Sequence, residues 1–114
     1  MNNVYIMSAN RSAIGGFGGM LKNFCPVDLG TLVAKEAITR SGYDAEEVEH
    51  AVFGNVIHTE PRDMYVSRVI ALQAGMGKES AALTVNRLCG SGLQAIISAI
   101  QLLTLGDANI TIAG

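Results

Sequence analysis

What most constrains this chain is its alternation of short, β-rich apolar runs with longer segments whose apolar residues recur at helical spacing. Asn3–Ala9 is such a run, ending in the polar, glycine-rich loop 10–19, and it predicts a first strand. Pro26 and Asp28 open a helix in which Leu29, Leu32, Val33 and Ala37 fall on one face, and Gly42 ends it. Ala45–Val48 predicts one helical turn, Ala51–Val56 a second strand with Asn55 at its exit, and His58–Asp63 a loop. A second helix over Met64–Ala74 presents Val66, Val69, Ile70 and Ala74, and Gly75 and Gly77 close it. A third strand over Ala82–Asn86 feeds a helix over Leu88–Leu105. That helix carries Ile96, Ile97, Ile100 and Leu103 on one side and Ala95, Ala99 and Leu102 on others, a pattern that predicts burial all round. Asn109–Gly114 reads as a last, buried strand. Strand–helix repetition of this kind predicts an α/β fold, βαβαβαβ, with a mainly parallel sheet and right-handed crossovers. Without repeats, low-complexity tracts or an internal linker, residues 1–114 read as one domain.

The chemistry concentrates where the third strand meets its helix, in Leu83-Thr84-Val85-Asn86-Arg87-Leu88-Cys89-Gly90-Ser91-Gly92-Leu93-Gln94-Ala95-Ile96. A cysteine at a helix start meets free N–H groups and the positive end of the helix dipole, an environment that favours the thiolate form. Gly90 and Gly92 remove side-chain bulk around the sulfur, so that a carbonyl carbon has room to approach and backbone N–H groups can point at a developing oxyanion. In an open parallel sheet, ligands bind beyond the carboxyl ends of the strands, which is where Cys89 falls.

Other residues carry plainer readings. Cys25, ahead of Pro26 in a loop, reads as a packed or incidental thiol. His50 and His58 are the only histidines, one beside the second strand and one in a loop, and both read as structural or surface residues. Asn86 and Arg87 sit where they can tune a thiolate, but an asparagine at a strand-to-helix junction is ordinarily a backbone-bonding turn residue. Ser91 fails the nucleophile-elbow pattern, because Cys89 and Leu93 stand where glycines are needed. Gly15, Gly16, Gly18 and Gly19 miss the dinucleotide fingerprint, since its third glycine would be Leu21. Arg62, Asp63 and Arg68 read as surface or subunit-contact ion pairs.

Bulk properties exclude several classes. With a net charge of −2 and only 16% charged residues, the chain has no basic stripe for nucleic acid. Two cysteines are too few for a disulfide framework and lack metal-ligand spacing, so no metal is expected and a reducing cytoplasm fits best. Residues 1–4 lack a basic region followed by an apolar run, so no secretory signal is expected. The longest apolar run, Leu93–Leu105, is interrupted by Gln94, Ser98 and Gln101 and falls short of the roughly 20 residues of a membrane span, which predicts a soluble protein.

The run Val85–Ile96 resembles the acyl-enzyme signature of the thiolase family. The resemblance extends over essentially the whole chain, through Val4–Gly15, Gly18–Lys22, Val27–Gly30 and Val52–Val56 in the same order, and Val56–Tyr65 is most similar to the biosynthetic β-ketothiolases. It implies a thiolase-like layered fold of which only part of the N-terminal half is here, because thiolases have two similar halves and a loop domain. The apolar end at Asn109–Gly114 also predicts a truncated chain. The resemblance further implies an acyl-CoA C-acyltransferase that forms or cleaves 3-ketoacyl-CoA through an acyl-Cys89 intermediate. Coenzyme A thioesters would be substrates rather than a resident cofactor, and the full-length protein would be a homodimer or homotetramer. The second-half histidine and cysteine, and the loop domain that binds the coenzyme, have no counterparts here, so the 114-residue chain is expected to be inactive in turnover and to associate through exposed apolar surface. Two other classes stay open: a non-catalytic acyl-accepting or redox-reactive thiol protein, and a structural assembly partner.

Overall fold

The computed structural model describes residues 3–114, so the first two residues of the predicted domain lie outside the described region. Helix α1 spans Pro26–Ser41, and strand β1 spans His50–Gly54. Helix α2 covers Val66–Gln73, β2 Ala81–Val85, α3 Ser91–Leu105 and β3 Thr111–Ala113. Two 3₁₀ turns, Ala45–Glu47 and Pro61–Tyr65, precede β1 and α2. The ends of α1 follow from local chemistry. Pro26 needs no N–H at the first helical position, and Gly42 leaves the helix with a left-handed φ of 81°.

The strands form one parallel sheet in the order β2-β1-β3, with His50 beside both Ala81 and Thr111, and Gly54 beside Val85. Side chains alternate across β1, and that alternation sorts the helices. Ala51 and Phe53 join Val66, Ile70, Ala71 and Ala74 of the α2 side, with Val27, Ala34 and Ile38 of α1 in the same cluster. Val52 faces the other way, against Ala95 and Ala99 of α3. The result is three layers, with α1 and α2 on one side of the sheet and α3 on the other.

Two contacts set the first of those layers. The buried Ser67 hydroxyl donates to the Leu83 carbonyl at 2.8 Å and accepts the Phe53 N–H at 2.9 Å, pinning the start of α2 to both neighbouring strands. At the crossing of α1 and α2, a side-chain carbon on Gly30 would collide with Cδ1 of Ile70 and crowd its Cγ1, so a larger residue there would have to displace the Ile70 side chain. Thr31 stands next to that crossing and donates to Gln73 at 2.9 Å.

Several sequence expectations change here. The strand expected over Asn3–Ala9 does not form: the segment has no regular secondary structure and pairs with no strand among the described residues. It lies along α1 instead, where Ser8 donates to the Ala37 carbonyl at 2.7 Å and Asn10 to the Val33 carbonyl at 3.1 Å. Tyr5 and Ile6 stay 73% and 80% exposed. A strand needs a neighbour to exchange main-chain hydrogen bonds, and apolar composition alone cannot supply one. The buried face of α1 is also rotated from the expected one. It consists of Val27, Thr31, Ala34 and Ile38, while Leu32 is 59% exposed, and it is Gly30 that meets Ile70 of α2.

Helix α3 is not buried all round. Its covered stripe is Ser91, Ala95 and Ala99, spaced four residues apart, and Leu93, Ile96, Ile97, Ile100 and Leu105 remain exposed. One sheet face covers one stripe of a helix, and the small residues on that stripe allow the close approach. The segment Leu88–Leu105 is apolar and long enough in residues to suggest a membrane span. Its helical part is only 15 residues, a rise of about 22 Å against a hydrocarbon core of about 30 Å, and its covered stripe lies on β1.

The Gly30–Ile70 contact yields a coupling prediction. Gly30→Ala is expected to cost about 1–3 kcal/mol, and Ile70→Val, which removes Cδ1, about 0.5–1.5 kcal/mol. In urea unfolding the double variant should be more stable than the sum of the two losses predicts. Strict additivity would mean that the two side chains do not compete for the same space.

Candidate functional site

Cys89 stands at the carboxyl end of the sheet, exposed, on the turn between β2 and α3. It lies two residues ahead of the helix rather than within its first turn. Gly90 is the N-cap and Ser91 the first helical residue, because Gly90 N–H closes onto Arg87 C=O at 3.0 Å and Ser91 N–H onto Leu88 C=O at 3.1 Å. The first i→i−4 bond of the helix runs from Gln94 to Gly90, so the N–H groups of Gly92 and Leu93 at the amino end have no partner within the helix. Among the described residues the backbone N–H of Cys89 makes no hydrogen bond either.

The turn is strained at one point. Leu88 has a φ of +48°, the only left-handed backbone at a non-glycine position among the described residues, and such a conformation costs an ordinary side chain about 1–2 kcal/mol. Asn86 holds it from one side, its Oδ1 accepting the Leu88 N–H at 3.0 Å, while its amide reaches the Val56 carbonyl at 3.4 Å and ties together the exits of β1 and β2. The turn-residue reading of Asn86 is thereby borne out. Arg87 donates from Nη1 to Gln94 Oε1. Gly92 faces open space, and a side chain on Gly90 would meet only Arg87 O at 3.5 Å. Neither glycine is demanded by packing here, and both leave room beside the sulfur.

The second thiol differs. Cys25 is half-buried at the start of α1, with Arg62 Nη2 3.4 Å from its Sγ. Hydrogen bonding to the Asp28 side chain, with burial and the charges of Asp28 and Glu60 adding to it, pushes this thiol above its ordinary range. That leaves Cys25 mostly protonated and weakly nucleophilic near neutrality.

The remaining residues divide between structural tasks. Arg62 pairs with Glu60 at 2.8 Å on the surface, as expected, but Arg68 makes no ion pair among the described residues: it donates to the carbonyls of Ser80 at 2.7 Å and Lys78 at 2.8 Å. Asp63 is a correction to the surface reading, since it is fully buried. Its Oδ2 accepts the Thr59 N–H and hydroxyl, both at 2.7 Å, and the Glu60 N–H at 3.1 Å, organising the loop that leaves β1. The spacing from Glu60 at an N-cap to Asp63 three residues on, with Pro61 between, is the signal that points to such a cap. His58 Nδ1 pairs with the Asn55 amide at 2.8 Å, and His50 starts β1 at the opposite end from Cys89, with its Nδ1 buried and unpaired. Neither histidine hydrogen-bonds Cys89. Two open depressions of about 520 Å³ and 420 Å³ flank α1, and neither borders Cys89. No group of three or more His, Cys, Asp or Glu side chains among the described residues is placed to hold a metal ion.

A parallel sheet layered by helices, with a cysteine on a strained turn at its carboxyl edge, defines the class of the domain as α/β. The profile of the family described as "Thiolase, N-terminal domain" matches residues 4–114, and the chain belongs to that family. It is 55% identical over 111 residues to the beta-ketothiolase BktB of Cupriavidus necator, covering 97% of this chain and 28% of that protein. The crystal structure of human mitochondrial 3-ketoacyl-CoA thiolase in complex with CoA is similar with a TM-score of 0.89 and 36% identity, over 91% of this chain and 26% of the other. That of the Bacillus anthracis acetyl-CoA acetyltransferase gives 0.85 and 40%, over 90% and 26%. The chain therefore spans under a third of the length of these relatives.

Asp63 makes stability depend on pH. Burial alone would raise its pKa, but the hydrogen bonds from Thr59 and Glu60, with His58 nearby, outweigh burial and hold the carboxyl below the usual range. A depressed folded-state pKa contributes stability that is complete above the unfolded value of about 3.9 and is lost as pH falls through the folded one. Asp63→Ala should cost about 1–3 kcal/mol at pH 7, through the stranded N–H groups of Thr59 and Glu60. The difference from the native chain should shrink in denaturation curves taken below about pH 4. A difference that grows on acidification would contradict this role.

Proposed function

We propose that the protein to which this chain belongs is an acyl-CoA C-acyltransferase of the β-ketothiolase type, forming or cleaving 3-ketoacyl-CoA, with Cys89 as its acyl acceptor. The observation that carries the reading is the placement of Cys89. It is an exposed thiol on a strained turn past a strand end, with its own N–H unengaged and the amino end of α3 two residues away. The Cys89 sulfur, as thiolate, adds to the thioester carbonyl carbon, the bond from that carbon to the coenzyme sulfur breaks, and the coenzyme leaves with the electron pair and takes a proton. The free N–H of Cys89 is available to the oxyanion of that step.

Similarity to a beta-ketothiolase and to a thiolase solved with CoA supports coenzyme A thioesters as the substrate class. The second step, in which another acyl-CoA attacks as a carbanion, needs a base; His50 starts β1 at the end opposite Cys89, and the His58 ring is engaged by the Asn55 amide. The 114 residues alone are therefore expected to accept an acyl group without turning over. The exposed Leu93, Ile96, Ile97 and Ile100 of α3 favour assembly into a dimer or tetramer. A reducing cytoplasm suits a working free thiol.

The test is to incubate the full polypeptide from the native gene with acetyl-CoA, quench in acid and map the acyl group by peptide mass. One acyl group on Cys89 is expected, none on the Cys89→Ala variant, and no change on Cys25→Ala. Acylation of Cys25, or of no residue while the protein remains folded, would overturn the assignment.

A further inference from the structure

We infer that Ser91 is the positioning residue for the acyl-accepting step: its hydroxyl holds the Leu88 carbonyl, and with it fixes the direction of the Cys89 N–H. The inference rests on Cys89 being the acyl acceptor. Ser91 is 4% exposed. Its Oγ donates to the Leu88 C=O at 2.6 Å and accepts the Arg87 N–H at 2.9 Å, so that one side chain spans both flanks of the residue with φ +48°. The Ser91 N–H also reaches the Leu88 C=O, at 3.1 Å.

That carbonyl belongs to the peptide unit joining Leu88 to Cys89. No peptide bond among the described residues is cis, and in a trans unit the C=O and the following N–H point in opposite directions. Gripping the Leu88 oxygen toward the helix therefore turns the Cys89 N–H away from it, toward the open side of the turn. An oxyanion formed on Sγ-bound carbon would find this donor only while the peptide plane stays in that orientation.

Ser91 is itself held by the end of β1. A side-chain carbon on Gly54 would stand 2.7 Å from Ser91 Cβ and 2.9 Å from its carbonyl carbon, so the strand backbone seats directly on the first residue of α3. Rigid seating on a sheet separates this hydroxyl from an ordinary helix-start serine. Removing it should also spare the fold, because the Ser91 Cβ that touches Gly54 would remain in Ser91→Ala and the Ser91 N–H would keep its bond to the Leu88 carbonyl.

The experiment compares the full native-gene protein with Ser91→Ala and Ser91→Thr by rapid-quench acylation at saturating acetyl-CoA. Alkylation of Cys89 and Cys25 by iodoacetamide is followed alongside. Acylation uses the oriented N–H, whereas alkylation by a small reagent does not. Ser91→Ala should slow acylation about tenfold or more and leave alkylation of both thiols unchanged, and Ser91→Thr, which keeps the hydroxyl, should restore most of the rate. Acylation at the native rate in Ser91→Ala overturns the inference. So does a parallel fall in acylation and alkylation, a threonine variant that folds but stays as slow as alanine, or an alanine variant that no longer unfolds cooperatively. A native protein that takes no acyl group overturns the acyltransferase reading and this one with it.

Discussion

The contact between Gly54 and Ser91, where the end of β1 meets the Cβ and main chain of the first residue of α3, governs the geometry of the candidate site. It sets the height of the helix over the sheet and fixes the residue whose hydroxyl holds the preceding turn. The turn in turn presents a thiol at the carboxyl edge of the strands. A larger residue at position 54 would have to lift α3, and the covered stripe of Ser91, Ala95 and Ala99 would separate from Val52. Packing and chemistry are thus decided at one point, because strain at Leu88 persists only while its surroundings hold it.

The two sides of the sheet are built differently. On the α1/α2 side, Val27, Val66, Ile70 and Ala71 are essentially sealed, and the one fully buried hydroxyl, Ser67, has its hydrogen bonds made with the strands beneath it. On the α3 side the sealed group is small, comprising Val52, Ala95 and Ala99, and large apolar residues face outward. Exposed apolar surface on this scale suits a helix that meets further protein. The same holds for the segment around Tyr5 and Ile6, which carries strand-forming residues with no ladder to join among those described.

Much of this was legible in the residues. Pro26 and Gly42 bracket α1 because their backbone constraints are local, and the runs around Val52 and Leu83 became strands because their alternation suits a sheet. The place of Cys89, exposed on the turn after a strand, follows the order of elements along the chain. Features that depend on a distant partner were not legible. The run Asn3–Ala9 has strand composition, but pairing is a property of two segments; Leu32 has helical spacing, but it is Gly30 that meets Ile70 of α2. Asp63 looks like any surface acid until the chain folds Thr59 and Glu60 over it, and Ser91 looks like an incidental serine until Leu88 turns left-handed.

The most direct measurement is a crystal structure of the full native-gene protein trapped with an acyl group. If the turn works as its geometry suggests, the acyl carbon is bonded to Cys89 Sγ, its oxygen lies about 2.7–3.1 Å from the Cys89 N, and Leu88 keeps its positive φ over the Ser91 hydroxyl. An acyl group on another residue, or an acyl-Cys89 whose oxygen points away from that N–H with Leu88 relaxed to negative φ, would contradict it.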